Sequence, residues 1–484
     1  RDELMLTLID LVGLLPLLIV ASTAVLVMLG VAWRRHHGGT AAVTVSGLAL
    51  ALASLPLASA APSSPPLMIF DGLALLGSAL VLVSGLFIAA MSHGYLAGYR
   101  GPREEFYLLL LCAVTGALGL VASNHLATLF ISLELLSMPL YGMVAYSFRT
   151  ERSLEAGIKY LILSAAATAF LLFGMALIYA RTGHLELTAL AAGVAGSPDP
   201  WILGGAALLL VGLGFKLSII PFHQWTPDVY QGGLAPATTV LATVSKLAVF
   251  LVLLRLVLVA PVFGSGWLLG LISLLALLSM FGGNLLALFQ PDLKRLLGYS
   301  SIAHMGYLLV AVIVGGPLAL ETTGVYLFTY IVATMGAFGV IMHVSGTGSG
   351  EDASGLHHYR GLFWHSPWLA ALLTLSMLSL AGIPLTAGFF GKFYIIALGV
   401  EGSRWWLVGG IVIGSVIGLF YYLRVIITLY LREPGMQQAV ADAGRGRVEK
   451  LALLIVAVSI LLLGIYPVPF IDWVAGLAWA ARLL

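Results

Sequence analysis

The sequence has very little charge. Only 9% of its 484 residues are charged, whereas a soluble globular domain carries about 25%. Hydrophobic residues make up 60% of the chain, and no soluble fold could hide that much apolar surface. The lipid bilayer is therefore the expected solvent. The formal net charge of +2 gives no indication of nucleic-acid binding or of a polybasic lipid-binding patch.

Cysteine is almost absent as well. Cys112 is the only one, which excludes a disulfide framework and any iron–sulfur cluster held by this chain, since such a cluster needs about four thiolates. The eleven histidines show no metal-ligand spacing, and the sequence has no nucleotide-binding loop or nucleophile elbow. We therefore expect no cofactor and no metal in this chain. The first apolar stretch lacks a cleavage site, so we interpret it as a retained helix.

Long apolar stretches are what the sequence does have. A membrane-spanning helix needs about 20 mostly apolar residues, and fourteen stretches meet this requirement. Predicted helices 1 to 14 start near Ile9, Ala41, Leu73, Phe106, Leu126, Leu154, Trp201, Pro236, Trp267, Arg295, Leu318, Pro367, Trp405 and Leu451. The loops between them are short. The sequence thus predicts an all-α polytopic membrane protein with about fourteen transmembrane helices and a single transmembrane domain.

The basic residues are distributed unequally between the two sets of loops. Thirteen lie in loops after predicted helices 1, 3, 5, 9, 11 and 13, and only four lie on the opposite side. Cytoplasmic loops carry the excess of lysine and arginine, so both termini are predicted to be periplasmic. The remaining six basic residues lie within predicted helices and are Lys159, Lys216, Lys246, Arg255, Lys392 and Arg424.

Lysine and arginine are sorted differently. Fifteen of the seventeen arginines lie outside the predicted helices, whereas four of the six lysines lie inside them. Arginine cannot release its proton in a protein, but a buried lysine shifts its pKa readily. The sorting therefore indicates a need for switchable charges in the membrane. Arg255 and Arg424 lie within about two turns of a helix end, so we interpret them as snorkelling to the interface.

Two further ionisable residues lie deep in predicted helices. Glu134 is the one carboxylate near the middle of a helix, where such groups are costly and usually functional. The alternative is a carboxylate that only ties helices together through a hydrogen bond. His304 lies roughly 15 Å into predicted helix 10. It is either a relay residue or a satisfied core histidine, and the sequence leaves both possibilities open.

Two predicted helices are interrupted by proline. Helix 7 contains Pro221, followed by His223 and a short polar segment, and helix 12 contains Pro384. Proline removes a backbone donor, and freed backbone at membrane depth is tolerated only where protein or a wet cavity satisfies it. Each break has a lysine, Lys216 or Lys392, within eight residues. We therefore expect hydrated gaps beside both lysines.

A simple proline kink is the alternative explanation for each break. Two breaks five helices apart, each beside a lysine, instead suggest two inverted five-helix repeats, helices 4–8 and 9–13, with helices 7 and 12 discontinuous. The predicted divisions are 1–103 for helices 1–3, 104–260 for the first repeat, 266–432 for the second repeat and 450–484 for helix 14.

Several segments resemble one known family, the antiporter-like membrane subunits of bacterial respiratory complex I (NADH–quinone oxidoreductase). The matching segments are Glu134–Gly142, Phe215–Ser218 with Pro221-Phe222-His223, Ser245-Lys246, Asp292–Gly306 and Gly388–Phe393. The stretch Trp225–Gly232 resembles the subunit N branch of that family in particular. The resemblance covers nearly the whole chain.

The resemblance implies a proton-translocating subunit of the membrane arm, in the bacterial inner membrane, that holds no redox centre. The residues that the family's pattern assigns to the proton relay are Glu134, Lys159, Lys216, Lys246, His304 and Lys392. Glu134 would pair with Lys216. Flavin, iron–sulfur clusters and quinone would lie in other subunits, so the chain alone would not be catalytic. Its partners would be other antiporter-like subunits and small helical subunits.

Two alternatives from other classes remain open. A subunit of a multisubunit cation/proton antiporter would exchange ions with its own partner subunits and without a dehydrogenase. A structural membrane scaffold would use the buried lysines only to hold helices together. Co-purification with flavin and iron–sulfur subunits tests the first alternative, and neutral replacement of the lysines tests the second.

Overall fold

A computed structural model of the chain describes residues 8–60, 67–99, 101–148, 150–192, 199–260, 263–345, 352–432 and 446–480. The α-helices in these ranges are α1 (Leu8–Gly13), α2 (Leu15–Trp33), α3 (His37–Ser59), α4 (Gly72–Ala97), α5 (Glu104–Val121), α6 (Leu126–Val144), α7 (Glu151–Thr182), α8 (Leu187–Ala192), α9 (Pro200–Leu217), α10 (Trp225–Gly232), α11 (Ala235–Val240), α12 (Lys246–Val259), α13 (Gly266–Ala287), α14 (Leu293–Val314), α15 (Gly316–Val344), α16 (Leu362–His365), α17 (Pro367–Ala381), α18 (Ala387–Glu401), α19 (Trp405–Tyr430), α20 (Arg447–Ile465) and α21 (Val468–Ala480). A π-helical turn, Leu241–Ser245, joins α11 to α12.

The transmembrane count agrees with the prediction. In the described part of the chain, thirteen helices are long and apolar enough to cross a membrane, with α11, the π-helical turn and α12 forming one of them. The fourteenth crossing is predicted helix 12. It is not among the thirteen long helices because it is divided into α17 and α18, which have only 15 residues each. The predicted all-α polytopic membrane fold is therefore confirmed.

Aspartates fix the starts of several crossings. Asp71, Asp199 and Asp292 directly precede α4, α9 and α14. Each carboxylate accepts a hydrogen bond from a backbone N–H in the first turn, at 2.8, 2.8 and 3.0 Å. An acid in this position satisfies an unpaired donor and suits the positive end of the helix dipole. The local sequence thus determines where these helices begin.

Predicted helices 7 and 12 are both broken, as their prolines indicate. Seven residues separate α9 from α10, and five separate α17 from α18. Pro221 and His223 lie in the first gap, and Pro384 lies in the second. The two discontinuities are therefore confirmed.

The two breaks have the same backbone geometry. Ser218 and Gly382 follow α9 and α17 in the left-handed conformation, with φ of 63° and 81°. The next residue, Ile219 or Ile383, donates its backbone N–H at 3.0 Å to a carbonyl five positions back. This arrangement satisfies carbonyl groups that the helix end would leave unpaired. A geometry repeated five crossings apart is what two related repeats would produce.

The C-terminal segment differs from the prediction of a single helix 14. The chain turns at Tyr466 and Pro467, between α20 and α21. Gly464, near the end of α20, packs on the break in helix 12, since a Cβ added there would lie 2.2 Å from the Leu385 carbonyl oxygen. A third break therefore lies against the second. Pro467 is the residue in the sequence that indicates this break.

The centre of the bundle is formed by α11–α12, α14 and α15, which are almost completely buried. Lys246 lies on α12 and His304 on α14. The outer helices α2, α7 and α20 expose many apolar side chains, which suits a lipid surrounding. The most enclosed crossings thus carry two of the predicted relay residues.

Candidate functional site

Lys216 lies on the last turn of α9, just before the first break, and is 2% exposed. Its Nζ donates hydrogen bonds to Ser137 Oγ and Ser164 Oγ, both at 2.6 Å. The Tyr160 ring centroid lies 5.6 Å from this Nζ, within cation–π range. Hydroxyl and aromatic groups of α6 and α7 therefore hold the lysine in the bundle.

Glu134 lies three residues before Ser137 on α6 and is partly exposed. It accepts a hydrogen bond from Thr168 Oγ1 at 2.9 Å. Both residues are described, and neither Glu134 oxygen lies within 4.0 Å of the Lys216 Nζ. The structure thus shows the two charges separated but on neighbouring positions of the same cluster. Their direct pairing stays a prediction.

Lys246 is fully buried at the start of α12, directly after the π-helical turn. Its Nζ donates to Ser301 Oγ at 2.6 Å. Ser301 and His304 are three residues apart on α14 and therefore share a face. His304 Nδ1 lies 2.8 Å from Tyr326 Oη, and its Nε2 lies 3.2 Å from Tyr422 Oη. Lys246 and His304 thus belong to one polar row across the buried centre.

Lys392 lies on α18, after the second break, and is 7% exposed. Its Nζ donates to the carbonyl of Ala381, the last residue of α17, at 2.8 Å. Carbonyls at a helix C-terminus form the negative end of the helix dipole and favour a nearby cation. A cavity of about 10 Å³ is lined by both Lys392 and His304. A water molecule needs about 10–15 Å³, so there is room for about one between them.

The polar row that contains Lys246 and His304 does not extend to Lys216. No hydrogen bond between described residues joins Lys216 to Lys246, and aromatic rings occupy this region. Tyr160 stacks on Trp225 with 4.7 Å between ring centroids, and the Tyr230 ring lies 5.7 Å from the Lys246 Nζ. The Tyr160 hydroxyl is buried and has no hydrogen-bond partner in the described part of the chain. Buried polar groups of this kind are commonly satisfied by ordered water.

Lys159 differs from the other predicted relay residues because it is not buried. Its side chain is 42% exposed and forms ion pairs with Glu155 at 2.6 Å and with Asp228 at 2.9 Å. Asp228 also pairs with Arg295 at 2.6 Å. Lys159 therefore connects α7 to α10 at the surface of the bundle, away from the row that contains Lys246 and His304.

The two arginines within predicted helices have protein partners. Arg255 is 4% exposed at its side chain and makes two hydrogen bonds of 2.8 Å to Asp71. Arg424 donates to the carbonyls of Leu288 and Gln290, both at 2.7 Å. The prediction that Arg255 snorkels is wrong, because a bidentate carboxylate satisfies its guanidinium inside the bundle.

Sequence reasoning missed the hydroxyl groups around the lysines and His304. These residues are Ser137, Ser164, Ser301, Tyr326 and Tyr422. Two of them had a local signal, since Ser137 and Ser301 lie three residues from Glu134 and His304 and so share their helix faces. The other three come from separate helices, and only the packing of the bundle brings them to the site.

Comparison with known proteins gives the family. The family described as NADH:quinone oxidoreductase/Mrp antiporter, TM, matches residues 123–418. NADH-quinone oxidoreductase subunit N from Chromohalobacter salexigens is 59% identical over 470 residues, which cover 96% of this chain and 98% of that protein. Subunit N from Ectopseudomonas mendocina is 53% identical over 479 residues, which cover 97% of each protein.

Solved structures show the same fold. A chain of respiratory complex I from Thermus thermophilus with bound aureothin has a TM-score of 0.81 and 35% identity, covering 94% of this chain and 98% of its own length. A chain of an archaeal membrane-bound sulfane sulfur reductase has a TM-score of 0.87 at 24% identity, and one of the Mrp complex from a Dietzia species has 0.85 at 20%, each covering 97% of both chains. The last two show the fold alone. With its full-length relatives, this chain belongs to the NADH:quinone oxidoreductase/Mrp antiporter membrane-subunit family, within which it groups with subunit N of NADH-quinone oxidoreductase.

Proposed function

We propose that this chain is the proton-translocating subunit N in the membrane arm of a bacterial NADH–quinone oxidoreductase. Relatives that carry this name and match this chain over nearly their whole length, and the similarity to a complex I chain, support the assignment. The observation that carries the mechanism is the buried row of Lys246, Ser301 and His304, which a water-sized cavity extends to Lys392. Such a row can pass protons without a redox group.

Each of the two repeats provides one half of the proton path. The repeats cover 104–260 and 266–432. Helices 1–3, in 1–103, precede them, and the broken helix of 450–484 follows them. Lys216 belongs to the first half and Lys392 to the second, while Lys246 and His304 lie between them. The shared geometry of the two breaks supports this division. The excess of basic residues on one side supports an inner-membrane topology with both termini in the periplasm.

Glu134 and Lys216 act as a charge switch in this mechanism. An isolated ionised group costs several kcal/mol of desolvation in the membrane, whereas a pair stabilises both charged forms. When the pair is separated, Lys216 loses that stabilisation and its proton can leave toward Lys246. The separated arrangement, with Lys216 on two serine hydroxyls, corresponds to one position of the switch. Water beside the Tyr160 hydroxyl would bridge the aromatic gap to Lys246.

The chemistry of NADH and quinone belongs to partner subunits. The chain has one cysteine, so its residues do not fit an iron–sulfur cluster. Among the described residues, no group of three His, Cys, Asp or Glu side chains could hold a metal ion. By the similarity to complex I we assign flavin, iron–sulfur clusters and quinone to other subunits, and the other antiporter-like and small helical subunits are the proposed neighbours of this chain.

Replacement of Lys246 tests the proposal. In a complex that still assembles, Lys246→Ala should lower proton pumping at least about tenfold, because a proton-transferring group is lost. Lys246→Arg keeps the charge but cannot release a proton, so it should not restore pumping. The exposed Lys450 provides the matched control, and Lys450→Ala should pump normally. Full pumping by Lys246→Arg would contradict the relay.

A further inference from the structure

A cavity of about 290 Å³ opens at one end of the bundle, where the end of α10 and the start of α11 meet the start of α14. Its rim includes Arg152, His357 and His358, which are exposed. In liquid water a molecule occupies about 30 Å³, so this vestibule holds several. The excess of basic residues in the loops places this end on the cytoplasmic side.

A buried ion pair lies in the wall of this vestibule. Lys294 Nζ lies 2.6 Å from an Asp352 carboxylate oxygen, and the two side chains are 1% and 2% exposed. The second Asp352 oxygen accepts from Tyr95 Oη at 2.5 Å, and Lys294 also donates to the Gly233 carbonyl at 2.5 Å. Lys294 is one of the thirteen basic residues that the sequence assigned to loops, in its case the loop after predicted helix 9, but it lies in the first turn of α14.

Stability alone does not explain this ion pair. Apolar residues of similar volume often replace a buried pair with no loss of stability, or even with a gain. The pair has an unusual position, since both residues line the water-accessible vestibule while their side chains are almost completely buried. Lys294 and Asp352 therefore form a polar partition between the vestibule and the helices behind it.

A polar helix face continues from this partition to Lys246. The Gly233 carbonyl that accepts from Lys294 also lies 3.5 Å from Thr238 Oγ1. Thr239 and Thr243 follow on the same crossing and, like Thr238, are fully buried. Residues three or four apart lie on one helix face, so Thr239, Thr243 and Lys246 share a face, and Thr238 lies beside its outer end. Each threonine hydroxyl donates to a carbonyl of its own helix, and the three side chains form a threonine ladder between Gly233 and Lys246. Eight residues of helix span about 12 Å.

The π-helical turn supports a functional interpretation of this ladder. It covers Leu241–Ser245 and ends directly before Lys246. Single π-helical turns inside α-helices are rare and frequently mark functional sites. The turn contains Thr243 and lies at the inner end of the threonine ladder, beside Lys246.

We propose that the Lys294–Asp352 pair closes the inner end of a water-filled vestibule through which protons from the cytoplasm reach Lys246. The proposal rests on the proton relay of the proposed function. When Asp352 takes a proton from the vestibule, its negative charge is lost and Lys294 loses its partner. The side chains then separate, and water reaches Thr238. Onward transfer of that proton restores the carboxylate and closes the pair.

Thiol accessibility tests this partition, because the chain has only one cysteine to remove. In a Cys112→Ala background, Ser354→Cys reports on the vestibule and Thr238→Cys reports on the space behind the pair. A small charged methanethiosulfonate is added to the cytoplasmic face of inverted membrane vesicles that contain the assembled complex. Mass spectrometry then measures the labelling of this chain.

We expect Ser354→Cys to react in every background and Thr238→Cys to be protected while the pair is intact. Asp352→Asn keeps the shape of the side chain but removes its charge. It should raise the labelling rate of Thr238→Cys at least about tenfold, because loss of one partner from a buried ion pair is strongly destabilising for the closed arrangement. Tyr95→Phe removes one hydrogen bond to Asp352 and should raise the rate less. This second variant is informative if Asp352→Asn prevents assembly.

Three results would overturn the proposal. They are an unreactive Ser354→Cys, a Thr238→Cys that reacts with the pair intact, and a Thr238→Cys that stays protected in the opened variants. Labelling is measured without turnover, so it does not depend on whether Lys246 transfers protons. A failure of the relay would instead be seen in the pumping of Lys246→Ala.

Discussion

The two broken helices share their backbone geometry but hold their lysines differently. In the first break, Lys216 precedes the left-handed residue, and its Nζ donates to two serine hydroxyls on other helices. In the second break, Lys392 follows the left-handed residue, and its Nζ donates to the carbonyl end of the preceding half-helix. The backbone of the break is thus repeated, whereas the surroundings of the lysine are not.

A carboxylate adds to the difference. Glu134 lies three residues from Ser137, which is a hydrogen-bond partner of Lys216. In the described part of the chain no carboxylate oxygen lies within 4.0 Å of the Nζ of either Lys216 or Lys392, and none of the hydrogen-bond partners of Lys392 has a carboxylate as its near neighbour on the same helix face. Hydroxyl and carboxylate side chains can exchange as partners of Lys216. A backbone carbonyl at a helix end is fixed in place. The comparison therefore suggests a switch in the first half of the chain and a fixed terminus of the relay in the second.

Among substitutions at the two breaks, Gly382→Ala is expected to have the largest effect on proton pumping. Gly382 has a φ of 81°, and an added Cβ would lie 2.5 Å from the Lys392 Cδ. A left-handed conformation costs a non-glycine residue roughly 1–2 kcal/mol, and the new contact displaces Lys392 from the Ala381 carbonyl. We expect the assembled complex to pump protons at least about tenfold more slowly, measured by fluorescence quenching in inverted vesicles.

Ser218→Gly is the matched control in the first break. Ser218 has a φ of 63°, which glycine adopts without strain. The substitution loses the hydrogen bond that Thr226 donates to Ser218 Oγ at 2.6 Å. We expect pumping to change less than about twofold, since a single neutral hydrogen bond contributes about 1 kcal/mol or less once the strain is relieved. Equal losses in both variants would show that the breaks matter only as rigid turns.

A smaller effect is expected when Lys216 loses its serine partners. Hydrogen bonds to charged groups contribute about 1.5–3 kcal/mol, so Ser137→Ala with Ser164→Ala should shift Lys216 toward Glu134 and slow pumping about three- to tenfold. The control is Ser92→Ala, because Ser92 is a buried serine whose hydroxyl donates to the Ile88 carbonyl of its own helix and, among the described residues, to no other group. Normal pumping by the double variant would mean that the serines do not hold Lys216 in a functional position.

The smallest effect is expected at Lys159, which the sequence placed with the other relay lysines. Its partners are Glu155 and Asp228, and its side chain is 42% exposed. Exposed ion pairs contribute about 0–1 kcal/mol, so Lys159→Gln should lower pumping by no more than about threefold. A loss as large as that of Lys246→Ala would place Lys159 in the relay despite its exposure.

The features that could be predicted from the sequence are those with a local pattern. Apolar stretches indicated the crossings, and Pro221 and Pro384 indicated the two breaks. The asymmetry between lysine and arginine also pointed to Lys216, Lys246 and Lys392, which are all buried. Proline chemistry, helix length and the cost of buried charge act over a few residues, so one sequence is sufficient for them.

The features that could not be predicted depend on distant contacts. Arg255 pairs with Asp71, 184 residues away, and Lys294 pairs with Asp352 across 58 residues. Either partner alone looks like an interface or loop charge. Lys159 shows the reverse error, because its position within an apolar helix indicated burial, but its face of α7 is partly exposed. Helix packing, which decides such cases, is not encoded in any short segment.

The most direct test of the central claim is the proton-to-electron stoichiometry of the Glu134→Ala, Lys216→Ala double variant in the assembled complex. The account predicts a lower stoichiometry than in the native complex, because the first half of the chain can no longer release a proton toward Lys246. Assembly and NADH oxidation by partner subunits provide the controls. A native stoichiometry in the assembled double variant would contradict the charge switch.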